Sequence, residues 1–165
     1  MYLYTSTYDL VFAIAGFEGD DYPQQWNIGK LPDVALDYGE TSHFQVEGPI
    51  ADAEWAQLFP GDGMIHLGEH GRPFSLSLFH QLRCLDIVRR ETERMGNTQK
   101  GGGEFTPTTL VAHCVNYVRQ MVLCRGNRFL DPVVGVPTLH VLHERTRCRD
   151  WEKVYSEVEK LQQNI

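Results

Sequence analysis

The sequence predicts a mainly helical α+β fold. The second half of the chain carries long stretches with helical periodicity, whereas residues 1–50 are rich in Gly, Pro, Asp and aromatic residues. A length of 165 residues fits one domain with a single core. We therefore expect an irregular N-terminal half with a few short strands, then two long packed helices and a C-terminal helix.

The N-terminal half contains few periodic stretches. We predict a turn at residues 20–23 (Asp-Asp-Tyr-Pro), in which an Asp side chain caps the local backbone. Short strands are expected near residues 42–46 and 64–67, and a short helix at 51–59. This half is therefore predicted to wrap around the molecule without forming a compact unit of its own.

Caps and breakers delimit the two long helices. The first is predicted to begin near residues 73–75 and to end at Gly96. A loop of three glycines follows at 101–103, and Thr106-Pro107 has the composition of a cap and first turn for the second helix. The second helix is expected to reach about residue 124.

Apolar residues recur at helical spacing on the second long helix and on the last helix, which is predicted at about 149–163. The stripe on the second helix comprises Leu110, Cys114, Tyr117, Met121 and Cys124. The stripe on the last helix comprises Trp151, Val154, Val158 and Leu161. Each stripe predicts a buried helix face.

The four cysteines are Cys84, Cys114, Cys124 and Cys148, and the absence of any CxxC argues against a zinc knuckle. Cys114 and Cys124 lie about 15 Å apart along one continuous helix. A disulfide requires Cα atoms within roughly 7 Å, so these two should not pair. Two pairings remain, 84–114 with 124–148 or 84–124 with 114–148, beside the alternative of four thiols.

Each long helix carries one histidine at the edge of its core-facing surface. His80 lies one turn before Cys84, and His113 directly precedes Cys114. If the helices pack antiparallel, the two imidazoles can meet and either hold a metal or transfer protons. The alternative is that both are ordinary half-buried histidines, satisfied by the backbone or by Asn116.

A second histidine pair, His140 and His143, could supply a third metal ligand. On a helix the two rings would share one side, whereas on a strand they would point to opposite faces. Pro137 just upstream leaves both structures open. A third imidazole from this pair would turn a two-ligand pair into a workable metal site.

The charge and hydropathy patterns exclude several classes of protein. The net charge of −7 with no basic stripe argues against a nucleic-acid partner. The longest apolar run, at residues 10–17, is much shorter than the roughly 20 residues that span a bilayer. The N-terminus also lacks the basic region of a signal peptide.

Several segments together resemble the fungal UstYa-like family, the ustiloxin-biosynthesis Ya-type proteins. They are FHQLRCLDIVRR (79–90), HCVNYVRQMVLC (113–124) and CRDW (148–151), with GDDYP (19–23), SHF (42–44) and EWAQLFP (54–60) upstream in the family's order. The resemblance covers about residues 18 to 155 and implies a single UstYa-like domain over 1–165.

The resemblance implies a tailoring enzyme of fungal secondary-metabolite biosynthesis. Members of the family are associated with oxidative ring closure of peptides, with hydroxylation and with halogenation, and copper has been implicated. They usually carry an N-terminal membrane anchor and act in the secretory lumen. The expectation is then that residues 1–17 are peripheral and follow an anchor that this sequence lacks, and that the cysteines form disulfides.

The sequence departs from the family's usual signature of two HxxHC motifs. Arg83 stands where the first motif has its second histidine, and Leu110 stands where the second motif has its first. Neither side chain ligates a metal at neutral pH. A dinuclear copper site made of four motif histidines is therefore not available, although the HQLRC variant does occur in the family.

Three functions follow, with a small-molecule or peptide intermediate as substrate. The first is oxidative modification at a mononuclear copper site. The second is a redox-neutral cyclase or isomerase without cofactor, in which His80 and His113 act as acid and base and Arg83 stabilises an oxyanion. The third is a non-catalytic partner, in a homo- or hetero-oligomer with a related family member. The site predicted for the catalytic functions comprises His80, Arg83, His113, Asn116 and Tyr117, with His80, His113, His140 and His143 as metal ligands.

Overall fold

The computed structural model describes residues 15–37, 39, 41–128, 130, 133–135, 140–141 and 145–163. The described residues divide into two compact units. The first contains those of Met1–Val34, Pro60–Leu76 and Cys148–Ile165, and the second those of Ala35–Phe59 and Ser77–Arg147. The predicted single domain stays a prediction, and most of the segment 1–17 lies outside the described residues.

Helices predominate among the described residues, which confirms the mainly helical α+β class. The helices are α1 (Pro49–Ala56), α2 (Ser77–Lys100), α3 (Thr109–Arg125) and α4 (Trp151–Gln163). The strands are β1 (Asp33–Asp37), β2 (Met64–Leu67), β3 (Arg72–Ser75), β4 (Val133–Val134), β5 (His140–Val141) and β6 (Arg145–Arg149). They pair as β1–β6, β2–β3 and β4–β5. No helix in the described part of the chain is long and apolar enough to cross a membrane.

The first unit is built on the antiparallel hairpin of β2 and β3, against which α4 packs. Val158 of α4 and Ile65 of β2 are almost fully buried. The Gln162 amide of α4 donates to the carbonyl oxygens of Pro60 and Met64, at 3.1 and 3.2 Å. Val158, a member of the predicted apolar stripe, is therefore confirmed as buried, whereas Trp151, Val154 and Leu161 are half-buried.

The N-terminal segment of this unit is fastened to β3. The rings of Phe17 and Tyr22 pack on Phe74, with centroids 6.0 and 5.2 Å apart, and the Arg72 guanidinium lies over Tyr22. The turn lies at Glu18–Asp21, where the Asp21 N–H donates to the Glu18 carbonyl at 2.8 Å, two residues before the predicted 20–23. The predicted cap is confirmed, because Asp21 Oδ2 accepts the Gly16 N–H at 2.7 Å. A carboxylate thus satisfies the backbone within the loop.

The second unit is organised by the packing of α2 against α3. The predicted start of α2 at 73–75 was wrong, because those residues form β3 and pair with β2. Its predicted end was also wrong, because α2 runs through Gly96 to Lys100. The chain turns only at Gly102, whose φ of 74° suits a residue without a Cβ.

The N-cap of α3 is Thr108, two residues later than predicted. The Thr108 hydroxyl accepts the Val111 N–H at 3.3 Å, and Gly126 ends the helix with a φ of 51°. The predicted stripe is buried only in its middle. Cys114 is buried, whereas Leu110 and Cys124 near the helix ends are exposed, because α2 covers only the central turns.

The strand predicted near residues 42–46 is absent, and the segment forms bends. Its backbone groups bond to side chains of α1 and not to a neighbouring strand. The Phe44 N–H donates to Glu54 Oε2 at 2.6 Å, and the Gln45 carbonyl accepts the Trp55 Nε1–H at 3.1 Å. These side-chain bonds take the place of the hydrogen bonds that a neighbouring strand would make, and the sequence of residues 42–46 alone does not reveal them.

A buried arginine joins three segments of the second unit. Arg89 is only 3% exposed, and its guanidinium donates to Asp86 on α2, to Asp52 on α1 and to the Val46 carbonyl, at 2.6 to 2.8 Å. Its Cζ also lies 5.7 Å from the centre of the Trp55 ring. Every nitrogen of the guanidinium is therefore engaged.

We predict that Arg89→Ala lowers the free energy of unfolding by about 3 kcal/mol, because it removes the buried donor of Asp86 Oδ1 and leaves that buried carboxylate with the half-exposed Arg90 alone. Arg90→Ala is the matched control: Arg90 bonds the other oxygen of Asp86 but is half exposed, so it should cost less than about 1 kcal/mol. Urea denaturation measures the free energy of unfolding of both variants. Equal losses would show that the buried position of Arg89 is not the cause of the stabilisation.

A second ion pair links α2 to the approach to α3. Glu91 accepts two hydrogen bonds from Arg94, both at 2.8 Å, and the Thr108 N–H at 3.0 Å. These bonds, those from Arg94 foremost, lower the pKa of Glu91 from its usual 4.5 to about 2. Because the folded-state pKa is depressed, this stabilisation is complete above pH 4.5 and is lost as the pH falls toward 2.

We predict that Glu91→Gln unfolds at a lower temperature than the wild type at neutral pH, and that the difference shrinks between pH 4.5 and 2. Thermal melts followed by circular dichroism across this range measure it. Glu93→Gln, on the same helix, is the control because Glu93 has no ion pair among the described residues. A pH-independent difference would show that the carboxylate charge is not the cause.

Candidate functional site

The candidate site lies in the second unit, where α2 and α3 meet most closely. Cys84 of α2 and Cys114 of α3 are each 1% exposed, and their sulfur atoms share a hydrogen bond. His80 lies one turn before Cys84, and its ring contacts Tyr117, one turn after Cys114. The two helices are therefore antiparallel, the arrangement in which the sequence predicts that the imidazoles meet.

Three rings form the core of this site, which we call the ring cluster: His80, His113 and Tyr117. His80 stacks on Tyr117 with centroids 4.0 Å apart and planes at 19°. The His113 centroid lies 6.1 Å from that of His80 and 6.3 Å from that of Tyr117. His80 is half-buried and His113 is exposed, so a ligand can reach the cluster from solvent.

Tyr117 is held as a neutral phenol. Burial, and to a smaller extent the nearby Cys84, raises the pKa of its hydroxyl above the usual 10. At neutral pH the phenol therefore keeps its proton and remains a hydrogen-bond donor. Its ring also restricts the orientation of the His80 imidazole that lies on its face.

Arg83 lies one turn after His80, and the structure places its guanidinium over the Phe59 ring, 4.2 Å from the ring centre. Phe59 is nearly buried, so the exposed Arg83 side chain packs its cation on a core ring. The predicted role of Arg83 in stabilising an oxyanion stays a prediction.

Asn116 is engaged away from the stack. Its Oδ1 accepts a hydrogen bond from Arg119 at 2.8 Å, and both side chains are exposed. The structure therefore brings His80, His113 and Tyr117 together, whereas Asn116 is paired with its neighbour on α3.

The described donors do not by themselves complete a copper site. Imidazole nitrogens ligate copper at roughly 2 Å, and His80 and His113 offer two such donors with ring centroids 6.1 Å apart. Among the described residues, however, no three His, Cys, Asp or Glu side chains come together as ligands. His140 belongs to β5, but its side chain and all of His143 lie outside the described residues, so the third ligand stays a prediction.

The cysteines are thiols in the structure, and their positions bear on the two pairings that the sequence leaves open. Cys84 and Cys114 already touch, whereas Cys124 is exposed at the end of α3. The contact favours 84–114 with 124–148 over the alternative. The disulfides themselves stay a prediction.

A histidine–glutamate pair was missed by the sequence reasoning. His43 Nδ1 and Glu54 Oε1 lie 2.5 Å apart, in the same unit as the ring cluster. The signal was present, since both residues fall in the segments SHF and EWAQLFP that carry the resemblance. The predicted strand obscured it, because it gave His43 no partner on the following helix.

We predict that Cys84 resists alkylation in the reduced native protein, while Cys124 reacts readily. Burial and the neighbouring Cys114 raise the pKa of the Cys84 thiol to about 12. Its thiolate fraction is then roughly a thousandfold below that of a thiol with the usual pKa of 9.0. Timed iodoacetamide labelling with peptide mass spectrometry measures the order, and Cys148 serves as a partly exposed reference.

In the same samples, oxidation without reductant should produce a linked peptide containing Cys84 and Cys114. A Cys84–Cys124 link, or labelling of Cys84 as fast as that of Cys124, would contradict the contact between the two buried thiols.

Comparison with known proteins identifies one family to which the chain is similar. No curated protein and no solved structure matches it. The family model described as mycotoxin biosynthesis protein UstYa matches residues 26–156, which include α1, α2, α3 and the whole ring cluster. The match confirms the resemblance seen in the sequence segments and implies a part in the biosynthesis of a mycotoxin or related secondary metabolite. The chain belongs to the UstYa family.

Proposed function

We propose that this protein is a tailoring enzyme that catalyses a redox-neutral ring closure or isomerisation of a natural-product intermediate. His80 and His113 serve as its acid–base pair. The observation that supports this most directly is the ring cluster: two nearly parallel imidazoles, 6.1 Å apart between centroids, on a face open to solvent. Imidazole is the side chain best suited to give and take protons near neutral pH.

The two histidines have different surroundings, and these suggest their roles. His80 is half-buried and stacked on Tyr117, so its ring is held in one orientation, as a base that removes a proton from substrate requires. His113 is exposed and can exchange protons with water. When His80 takes a proton from carbon and His113 returns one elsewhere on the substrate, the reaction needs no oxidant.

Arg83 would stabilise the negative charge that develops when a proton leaves carbon next to a carbonyl group. Its cation is held over Phe59, one turn along α2 from His80. A guanidinium that already lies in place has to reorganise less when it stabilises an enolate. Arg83, which stands where the family's motif has a histidine, would thereby have a catalytic role of its own.

The second candidate is oxidative modification at a mononuclear copper site. The nearness of the His80 and His113 rings favours it, since imidazole is a common copper ligand. A bound copper would supply one-electron chemistry, and the third ligand would come from His140 or His143. Copper titration followed by NMR broadening of the His80 and His113 ring signals tests this assignment without an activity assay.

We predict that His80→Ala and His113→Ala each reduce product formation by at least about a hundredfold, the usual contribution of a general acid or base. The measurement is mass spectrometry of the product in a fungal host that expresses the pathway with each variant. His70→Ala is the matched control, because His70 is exposed in the first unit and contacts Glu18. Unchanged output from both site variants would indicate a non-catalytic partner.

Two further comparisons test the positioning role of Tyr117 and the need of the reaction for oxygen. Tyr117→Phe keeps the ring on which His80 stacks, so it should retain more activity than Tyr117→Ala. Turnover by purified protein under argon, with the host's accumulated intermediate as substrate, should equal turnover in air. A strict requirement for oxygen would overturn the redox-neutral proposal in favour of the oxidative one.

A further inference from the structure

A groove beside α1 contains a second pair of groups with proton-transfer chemistry. It measures about 500 Å³ and is lined by His43, Phe44, Glu54, Gln57 and Leu58, all within the second unit. This second pair is separate from the acid–base pair of the ring cluster, His80 and His113. Its polar groups are an imidazole, a carboxylate and an amide, and its apolar surface comes from Phe44 and Leu58.

The hydrogen bonds fix the tautomer of His43. Glu54 Oε1 lies 2.5 Å from His43 Nδ1, and Oε2 accepts the Phe44 N–H at 2.6 Å. These two bonds, that of His43 foremost, lower the pKa of Glu54, so the carboxylate is ionised at neutral pH. An ionised carboxylate only accepts, so Nδ1 carries the hydrogen, and Nε2 is the atom that can accept a hydrogen bond whenever the ring is neutral.

The backbone around this histidine is held in an uncommon conformation. Phe44 has a φ of 55°, in the left-handed region that a bulky side chain rarely adopts. Its ring packs edge-on against Trp55, 5.8 Å between centroids, and the Trp55 indole N–H fastens the next carbonyl. Strain that neighbouring bonds maintain in this way is commonly found at ligand sites.

We propose that this groove binds the hydroxyl group of a phenol or an enol. The hydroxyl would donate to Nε2 of His43, the Gln57 amide would bond a second polar atom, and Phe44 and Leu58 would contact the apolar body. His43 is 69% exposed whereas Glu54 is 19% exposed, so the acceptor faces the ligand while its carboxylate support stays shielded. The site is independent of the ring cluster's proposed chemistry.

The test is NMR titration of the full chain at neutral pH with 4-cyanophenol, and with benzonitrile as the matched probe that lacks the hydroxyl. We expect 4-cyanophenol to shift the His43 ring signals and to bind about tenfold more tightly than benzonitrile, the usual effect of one hydrogen bond. His43→Ala should abolish this preference, and Glu54→Gln should weaken it because the tautomer is no longer fixed.

His70→Ala is the matched control, since His70 also contacts a glutamate, Glu18, but in the first unit and outside the groove. It should bind 4-cyanophenol as the wild type does. Equal affinity of the wild type for the two probes would overturn the proposal, and this comparison needs no variant to fold. Undiminished binding by His43→Ala, or an equal loss in His70→Ala, would overturn it as well.

Discussion

The buried Arg89 guanidinium is the constraint on which the second unit depends. A buried cation must be surrounded by acceptors, and these come from three separate segments: α2 itself, α1 and the bend before α1. Meeting that requirement places α1 and the bend at a defined position on α2. The His43–Glu54 pair lies on these elements, so its geometry is a consequence of how one arginine is satisfied.

The ring cluster depends on a different requirement, the close approach of two helices. Cys84 and Cys114 are small enough to let α2 and α3 come together, and both are buried where they touch. Because the helices are close at the cysteines, side chains one turn away on each helix are also close, and His80 therefore contacts Tyr117. A larger residue at either cysteine would separate the helices and the rings with them. The candidate site is therefore as much a product of packing as of its own chemistry.

Much of this could be predicted from the sequence, and the misses have physical reasons. Helical periodicity identified the long helices, although their predicted caps were misplaced, and the spacing of His80 and His113 relative to the cysteines indicated that the imidazoles could meet in the antiparallel packing that the structure has. The strand at 42–46 was wrong because Glu54 and Trp55 bond that backbone through their side chains, which no local pattern reveals. The end of α2 was wrong because a single Gly96 costs a helix only about 1 kcal/mol, less than its other contacts supply. The position of the Arg83 guanidinium could not be predicted, because it depends on a contact with Phe59, which precedes the helix in the sequence.

The exposure of two residues bears on how this chain relates to family members with complete motifs. Leu110 is 54% exposed and Arg83 is exposed as well, although the Arg83 cation lies over the core ring of Phe59. A histidine at either place would leave no cavity and bury no charge, so we expect the exchange to cost little stability beyond the contact with Phe59. Histidine-bearing and arginine-bearing forms of this scaffold therefore differ by surface substitutions that cost little stability. Divergence of chemistry in such a family can proceed without passing through an unstable intermediate.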